Sequence, residues 1–392
     1  MVSRIRAAES QKEARVDLAV HTFGACVERP EELGAKCEQA RGKVPWLLPG
    51  IGAGGLPASV PMPAVPRSYV ALATDGSHID VDRHRSAPCY LINIGKVSLS
   101  YGNRPYAMLS NYSSLYSDET QIVVPSPDPG LEDVRVAGPV LGAKRAVEEC
   151  RALAGMTMSL DGDSPAVALL DGSLVLWDLE GQKYPDFVAT AFITDGLLKC
   201  FGDIDESSKE KHLAFGSYIS SPRAVEAVNL LRVALCPSDG FDCDRDCHGM
   251  PRSERPCNAL SGVQDSAVFS WVLRPGERSA IFVSRSRVVE RHYGRHRVCF
   301  FYLNVGDEIA RIEMPVWAVE RRGVTEIMQA LIFEQCRLGD GYPVVLAEAH
   351  EKAVVTAADR EQFWRLVDME MERRNVRVTG SAKSRSKRRP FV

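Results

Sequence analysis

The 392-residue chain has no large excess of charge of either sign: 48 lysines and arginines face 51 aspartates and glutamates, for a net charge of −3. Nucleic-acid-binding domains are often basic overall, so any contact of that kind has to come from a local arrangement. The chain also lacks an apolar run of the ~20 residues that a membrane span requires. Its opening stretch, MVSRIRAAESQKEARVDLAV, carries charges where a secretory signal is apolar. A cytoplasmic protein with no membrane partner is the expectation. No Gly-Lys-Ser/Thr phosphate-binding motif of the Walker type occurs, so a nucleotide-driven motor would have to be a separate protein. The eleven cysteines are odd in number, and the chain is too large for a small secreted disulfide framework.

What is present belongs to a globular protein. Hydrophobic residues make up 45% and charged residues 25%, the proportions of an ordinary folded domain, and the length permits a sizeable core. Residues 1–66 divide into a helical segment to about residue 44, with Val16, Leu18, Ala19 and Phe23 among charges, and a Pro/Gly-rich arm, LLPGIGAGGLPASVPMPAVP. A main domain is expected over 67–376, with a cysteine-rich insertion around 236–257 and a disordered basic tail over 377–392. Within the domain, strands are expected at 69–74, 89–94, 97–101, 121–124, 166–170, 279–283, 298–305 and 309–316. Helices are expected at 142–154, from Ser221-Pro222 to about 235, at 324–338, at 344–352 and at 359–374. Thr356 should cap the last of these, with Asp359 three residues on. Strands and helices in this mixture argue for an α/β or α+β domain.

A local pattern recurs. YVALATDGS and AVALLDGSL each set an aspartate, Asp75 or Asp171, just after an apolar strand and before Gly-Ser. A carboxylate at a strand end can face a cleft, and the glycine permits a sharp exit. Two such aspartates brought together would make a hard oxygen site for Mg²⁺ or Mn²⁺. Metals held in this way serve phosphodiester hydrolysis. Each Asp-Gly-Ser is also an ordinary turn. His78, Asp80 and Asp82 follow the first aspartate; these residue types can bind metal, but their alternation marks the polar edge of a strand or loop.

Further segments carry a family resemblance: GYPVVLAEAH at 341–350, GERSAIFVSRSR at 276–287, VCFFYLNVG at 298–306, EIARIEMPVW at 308–317 and GSYISSPRAVEAVNLLR at 216–232. In their order and spacing, over roughly 69–374, they resemble the NurA family of DNA end-processing nucleases. The resemblance implies a ribonuclease-H-like α/β fold, a mixed sheet flanked by helices, here with an N-terminal helical extension. It further implies Mn²⁺-supported (or Mg²⁺-supported) 5′-to-3′ exonuclease and single-strand endonuclease activity with a two-metal site. The partners it implies are DNA, a second copy of the chain and a hexameric HerA-type ATPase. Carried over residue by residue, Asp75 and Asp171 match the family's two aspartates, and Tyr342 and His350 match its C-terminal pair. The remaining carboxylate is a glutamate on the helix before Asp171, where Glu148 and Glu149 both stand. Glu149 is favoured because the following Arg-Ala-Leu places it like the family's residue. Asp75, Glu149, Asp171 and His350 would hold metal. Tyr342 and His350, eight apart, would share one face of a helix beginning near Pro343.

Two features lie beside that set. Cys236, Cys243, Cys247 and Cys257, with His248 adjacent, fall in one polar segment. They suit a structural Zn²⁺ or an iron–sulfur cluster, or are four reduced thiols. Arg285, Arg287, Arg291, Arg295 and Arg297 crowd a segment with His292, Tyr293 and His296, a mix suited to phosphate contact and base stacking. Lys383, Arg385, Lys387, Arg388 and Arg389 in the tail add local positive charge. Other readings of the chain are a non-catalytic DNA-binding adaptor on the same fold and a related nuclease acting on RNA. The helical segment before the Pro/Gly-rich arm is either a docking element for the translocase or a helix packed on its own domain.

Overall fold

Continuous apolar runs dominate the strands at the centre of the chain, and they are buried along their whole length. The computed structural model describes residues 2–81, 88–160, 164–179, 183–238 and 240–374, with side chains from residue 9 onward. Asp82 and the basic tail with Lys383, Arg385, Lys387, Arg388 and Arg389 lie outside the described residues. The chain divides into two compact units, Met1–Tyr69 with Asp163–Val175 and Glu210–Val344, and Val70–Gly162 with Leu176–Lys209 and Val345–Val392.

The first unit holds a mixed sheet in the order Gly50–Ile51, Phe282–Val283, Val298–Asn304, Ile309–Pro315, Leu213–Ile219, Ala166–Asp171. The last two strands are parallel, from Ala166 opposite Leu213 to Asp171 opposite Tyr218. The remaining pairs are antiparallel. VCFFYLN and IARIEMP are buried at every position, as strands covered on both faces must be. Part of that cover comes from the N-terminal helices Val2–Glu28 and Pro30–Ala40. Val16, Phe23, Leu33 and Cys37 share one apolar core with Leu231, Phe269 and Phe300, and Phe23 meets Phe269 edge-on at 5.6 Å. Polar contacts add to this: Arg15 donates to the Ser261 carbonyl at 2.8 Å, and Lys36 to the Ala234 carbonyl at 3.2 Å. The helical segment is therefore part of this unit's core.

The second unit carries the strands Tyr69–Ile79, Tyr90–Tyr101 and Tyr106–Tyr116 in that order. The latter two form an antiparallel hairpin, from Tyr90 opposite Tyr116 to Ser100 opposite Tyr106. Helices Pro139–Met158, Leu198–Ser207, Val344–Ala353 and Ala357–Arg373 belong with them. The capping box at the last helix forms as its sequence indicates, with the Thr356 hydroxyl and the Asp359 carboxylate exchanging bonds with each other's backbone N–H.

The observed elements differ from the expected ones in several places. The stretches 89–94 and 97–101 are one strand, because Gly95 is a packing site and not a break: a Cβ there would lie 2.4 Å from the Ala349 carbonyl. The hairpin strand Tyr106–Tyr116 has a largely exposed pattern, so it offers little apolar alternation to read. The helix expected from Ser221 begins at Glu226. Glu308 captures the preceding turn, accepting from the Ser221 N–H at 2.7 Å and from the hydroxyls of Ser220 and Ser221 at 2.9 and 3.0 Å, and Ser221 takes a φ of 44°. A π-helical stretch, Thr190–Leu197, the helices Leu198–Ser207 and Asp265–Val272 and the strand Leu213–Ile219 were not foreseen. The fold class is nevertheless the expected one, a mixed α/β sheet flanked by helices with helices at the N-terminus. Among the described residues no helix is long and apolar enough to cross a membrane.

Candidate active site

Asp75 does not end a strand. It lies inside the strand Tyr69–Ile79, which continues through Gly76 and Ser77. Gly76 therefore makes no turn; its missing side chain admits the helix Pro139–Met158. A Cβ at 76 would sit 2.6 Å from Glu149 Oε1 and 3.0 Å from the Arg145 side chain. The Thr74 hydroxyl donates to the Glu149 carbonyl at 2.9 Å and ties the same strand and helix together. Glu149 thus stands against the strand of Asp75, paired with Arg145 at 3.1 Å. Glu148 is engaged instead by Lys144 at 2.8 Å and Arg151 at 2.6 Å. Burial alone would raise its pKa, but these two cations hold its carboxyl below the ordinary value.

His350 reaches Asp75 from the helix Val344–Ala353, with Nδ1 2.8 Å from Asp75 Oδ2. The end of that helix is clamped: Asn93 donates to the Ala353 carbonyl at 2.8 Å, and the Ser77 hydroxyl donates to the same oxygen. The Ser113 hydroxyl in turn donates to Asn93 Oδ1 at 2.9 Å. With Gly95 beneath the helix, the imidazole is held at Asp75 while its side chain stays 64% exposed. Asp75, Glu149 and His350 are thus gathered within the second unit.

Asp171 and Tyr342 belong to the first unit. Asp171 is the exposed last residue of Ala166–Asp171, and here Gly172 does make the exit turn, with a φ of 83°. The turn rests on a buried charge network that the sequence did not announce. Glu313 Oε2 accepts from the Ser173 hydroxyl and the Leu174 N–H, both at 2.9 Å. Arg311, 4% exposed, bonds Glu313 Oε1 at 2.9 Å, pairs with Glu226 and lies 3.6 Å over the Phe300 ring. Buried carboxylates need such partners; the signal available in the sequence was the alternation Arg311-Ile312-Glu313 within an otherwise apolar strand.

Tyr342 precedes the helix at Val344, in a turn where Gly341 has a φ of 98° and donates to the Cys336 carbonyl at 2.9 Å. Its eight-residue spacing from His350 is therefore not a helical repeat. The Tyr342 ring stands edge-on to Tyr218 at 5.4 Å.

The arginine segment also needs correction. Arg285 pairs with Glu38 and packs against Gly50, so it joins the N-terminal helix to the sheet in place of facing a ligand. Tyr293 and His296 are buried, with the Tyr293 hydroxyl donating to the Leu174 carbonyl and the Trp317 indole N–H donating to His296 Nδ1. They do not present rings for stacking. Arg287, Arg291, Arg295 and Arg297 are exposed.

Among the described residues no three His, Cys, Asp or Glu side chains come close enough to share one metal ion. The chemistry of the second unit's donors nonetheless fits a hard divalent cation: two carboxylates and an imidazole, engaged in this geometry in the Asp75–His350 and Glu149–Arg145 contacts.

The NurA domain model matches residues 69–355. The chain belongs to the NurA family. The matched span contains Asp75, Glu149, Asp171, Tyr342 and His350, and the family is one of nucleases, which makes the chain a member of a hydrolase family. No curated protein matches the chain. Among solved structures, LC9-RNase H1, described as a type 1 RNase H with the type 2 active-site motif, shares 8% identity with a TM-score of 0.21. That alignment covers 54% of this chain and 84% of the other, and it is too distant to add to the NurA assignment.

Proposed function

We propose that the chain is a divalent-metal-dependent deoxyribonuclease that resects DNA ends, as a homodimer fed by a hexameric HerA-type translocase. The observation that carries this reading is the Asp75–His350 contact, which joins residues far apart in sequence within the span of the family match. Asp75 and Glu149 are the residues of the second unit that would hold Mn²⁺ or Mg²⁺, Asp171 is the first unit's candidate ligand, and the ions would supply charge neutralisation and water activation.

The remaining roles follow from the side chains themselves. With its Nδ1 proton directed at Asp75, the imidazole of His350 has Nε2 left to carry a proton to a leaving oxygen. The exposure of the ring keeps that nitrogen within reach of a substrate. The Tyr342 hydroxyl orients a phosphate, and Arg287, Arg291 and Arg295 attract the backbone. A nuclease without a motor of its own waits for ends to fray unless a translocase delivers them.

The test uses labelled single-stranded DNA and RNA of one sequence, incubated with purified protein and Mn²⁺ or EDTA. Cleavage of DNA in Mn²⁺ alone is expected, with stimulation by a HerA-type ATPase and ATP on duplex ends. Cleavage confined to RNA would contradict the substrate, and cleavage of neither strand would leave a binding subunit.

A further inference from the structure

Seven of the cysteines, Cys26, Cys37, Cys89, Cys150, Cys200, Cys299 and Cys336, are buried, whereas Cys236, Cys243, Cys247 and Cys257 are half-exposed. These four lie within the first unit and line one cavity of ≈ 800 Å³. They arrive from separate pieces of chain. Cys236 follows the helix Glu226–Ala234, Cys243 opens the helical turn Cys243–Asp246 with Cys247 just after it, and Cys257 sits in the 3₁₀ turn Pro256–Asn258.

Little apolar burial holds this segment in its fold. Among the described residues of 237–258, Phe241 alone is buried. The surrounding side chains are those an anionic group would require: Lys43, Arg232, Arg252 and Arg255 line the same cavity, with Asp242 and Asp244 the acidic members of the lining. Two of these cations are fixed in place. The Arg232 guanidinium lies 3.9 Å over the Trp46 ring and its Nε donates to the Cys257 carbonyl at 2.9 Å, while Lys43 donates to the Gly240 carbonyl at 3.1 Å.

We propose that Cys236, Cys243, Cys247 and Cys257 ligate an iron–sulfur cluster that orders the 236–257 insertion. A single tetrahedral Zn²⁺ draws its thiolates to about 2.3 Å from one point. Among the described residues no three ligating side chains are near enough to share one ion, yet all four cysteines line one cavity much larger than an ion. A cluster with several irons spreads its four cysteine ligands around its own body. On ligation each thiol gives up its proton and forms one iron–sulfur bond, and the resulting anionic cluster is matched by the lysine and arginines around it. The free energy of ligation takes the place of the core that the segment lacks.

The test is made on full-length protein purified without oxygen and without added metal. Iron and acid-labile sulfide in equal amounts, about two or four of each per chain, together with broad visible absorption, are expected. Zinc in stoichiometric amount without iron would overturn the proposal in favour of a single-ion site. Neither metal in freshly reduced protein would overturn it altogether. Cys243→Ser/Cys247→Ser should lose the iron and the visible absorption together; a variant that keeps both would remove these two residues from the site. The wild-type iron and sulfide content stands as the test even where that variant fails to fold.

Discussion

The strand of Asp75 and the helix of Glu149 approach so closely at Gly76 that a methyl group there would fall 2.6 Å from a carboxylate oxygen. Gly76→Ala should therefore push the helix away from the strand and move Glu149 relative to Asp75. Overpacking of this kind costs about 1–3 kcal/mol, so denaturant unfolding should show a lowered midpoint and cleavage should fall more steeply than stability. A variant with unchanged unfolding and unchanged activity would mean that the close approach has no role. The same residue marks what could be read locally and what could not. Asp171-Gly172 was legible as a strand exit because the glycine really does take a positive φ. Asp75-Gly76 has the same sequence signature, yet its glycine serves packing against a helix some seventy residues away, which no short window contains. Glu149 was favoured over Glu148 by its neighbours in sequence. In the structure Glu148 is bound by Lys144 and Arg151, and Glu149, paired with Arg145, stands against the strand of Asp75.

Elements whose signals are local and strong were legible almost to the residue. The helix Val324–Leu338 spans the expected range, and Thr356 caps the helix Ala357–Arg373 through a complete capping box. Thr356→Ala should cost about 1 kcal/mol, measurable as a lower melting temperature with nuclease activity retained. A wild-type melt would mean that Trp364, packed with Ile79 and Cys89, holds the helix unaided. Elements shaped by distant partners were not legible. The exposed hairpin strand Tyr106–Tyr116 has little buried periodicity, and the helix start at Glu226 is displaced by a carboxylate, Glu308, more than eighty residues on. The buried Glu226–Arg311–Glu313 network behind the Asp171 turn depends on strand pairing, so its members looked in sequence like ordinary charges.

At the scale of the molecule, near-neutral net charge left the nature of the ligand open, and the family match over 69–355 decided the class of protein. The N-terminal helical segment, which lies outside that match, proves to be a working part of its unit's core through Val16, Phe23, Leu33 and Cys37. Each such buried side chain contributes on the order of 1.5–3 kcal/mol. Deleting residues 1–44 should consequently give aggregated or partly unfolded protein, seen as loss of the monodisperse species in size-exclusion chromatography. A soluble, fully active truncation would show that the core closes without these helices. The central claim, that carboxylates on two strands support metal-dependent hydrolysis, is tested most directly by following cleavage of labelled single-stranded DNA in Mn²⁺ by the wild type, Asp75→Asn and Asp171→Asn. Asparagine keeps the shape of the side chain and removes the charge a cation needs. The expected result is cleavage by the wild type, abolished by EDTA, and none by either variant, with melting temperatures close to the wild type's. Wild-type cleavage by either variant would contradict the account.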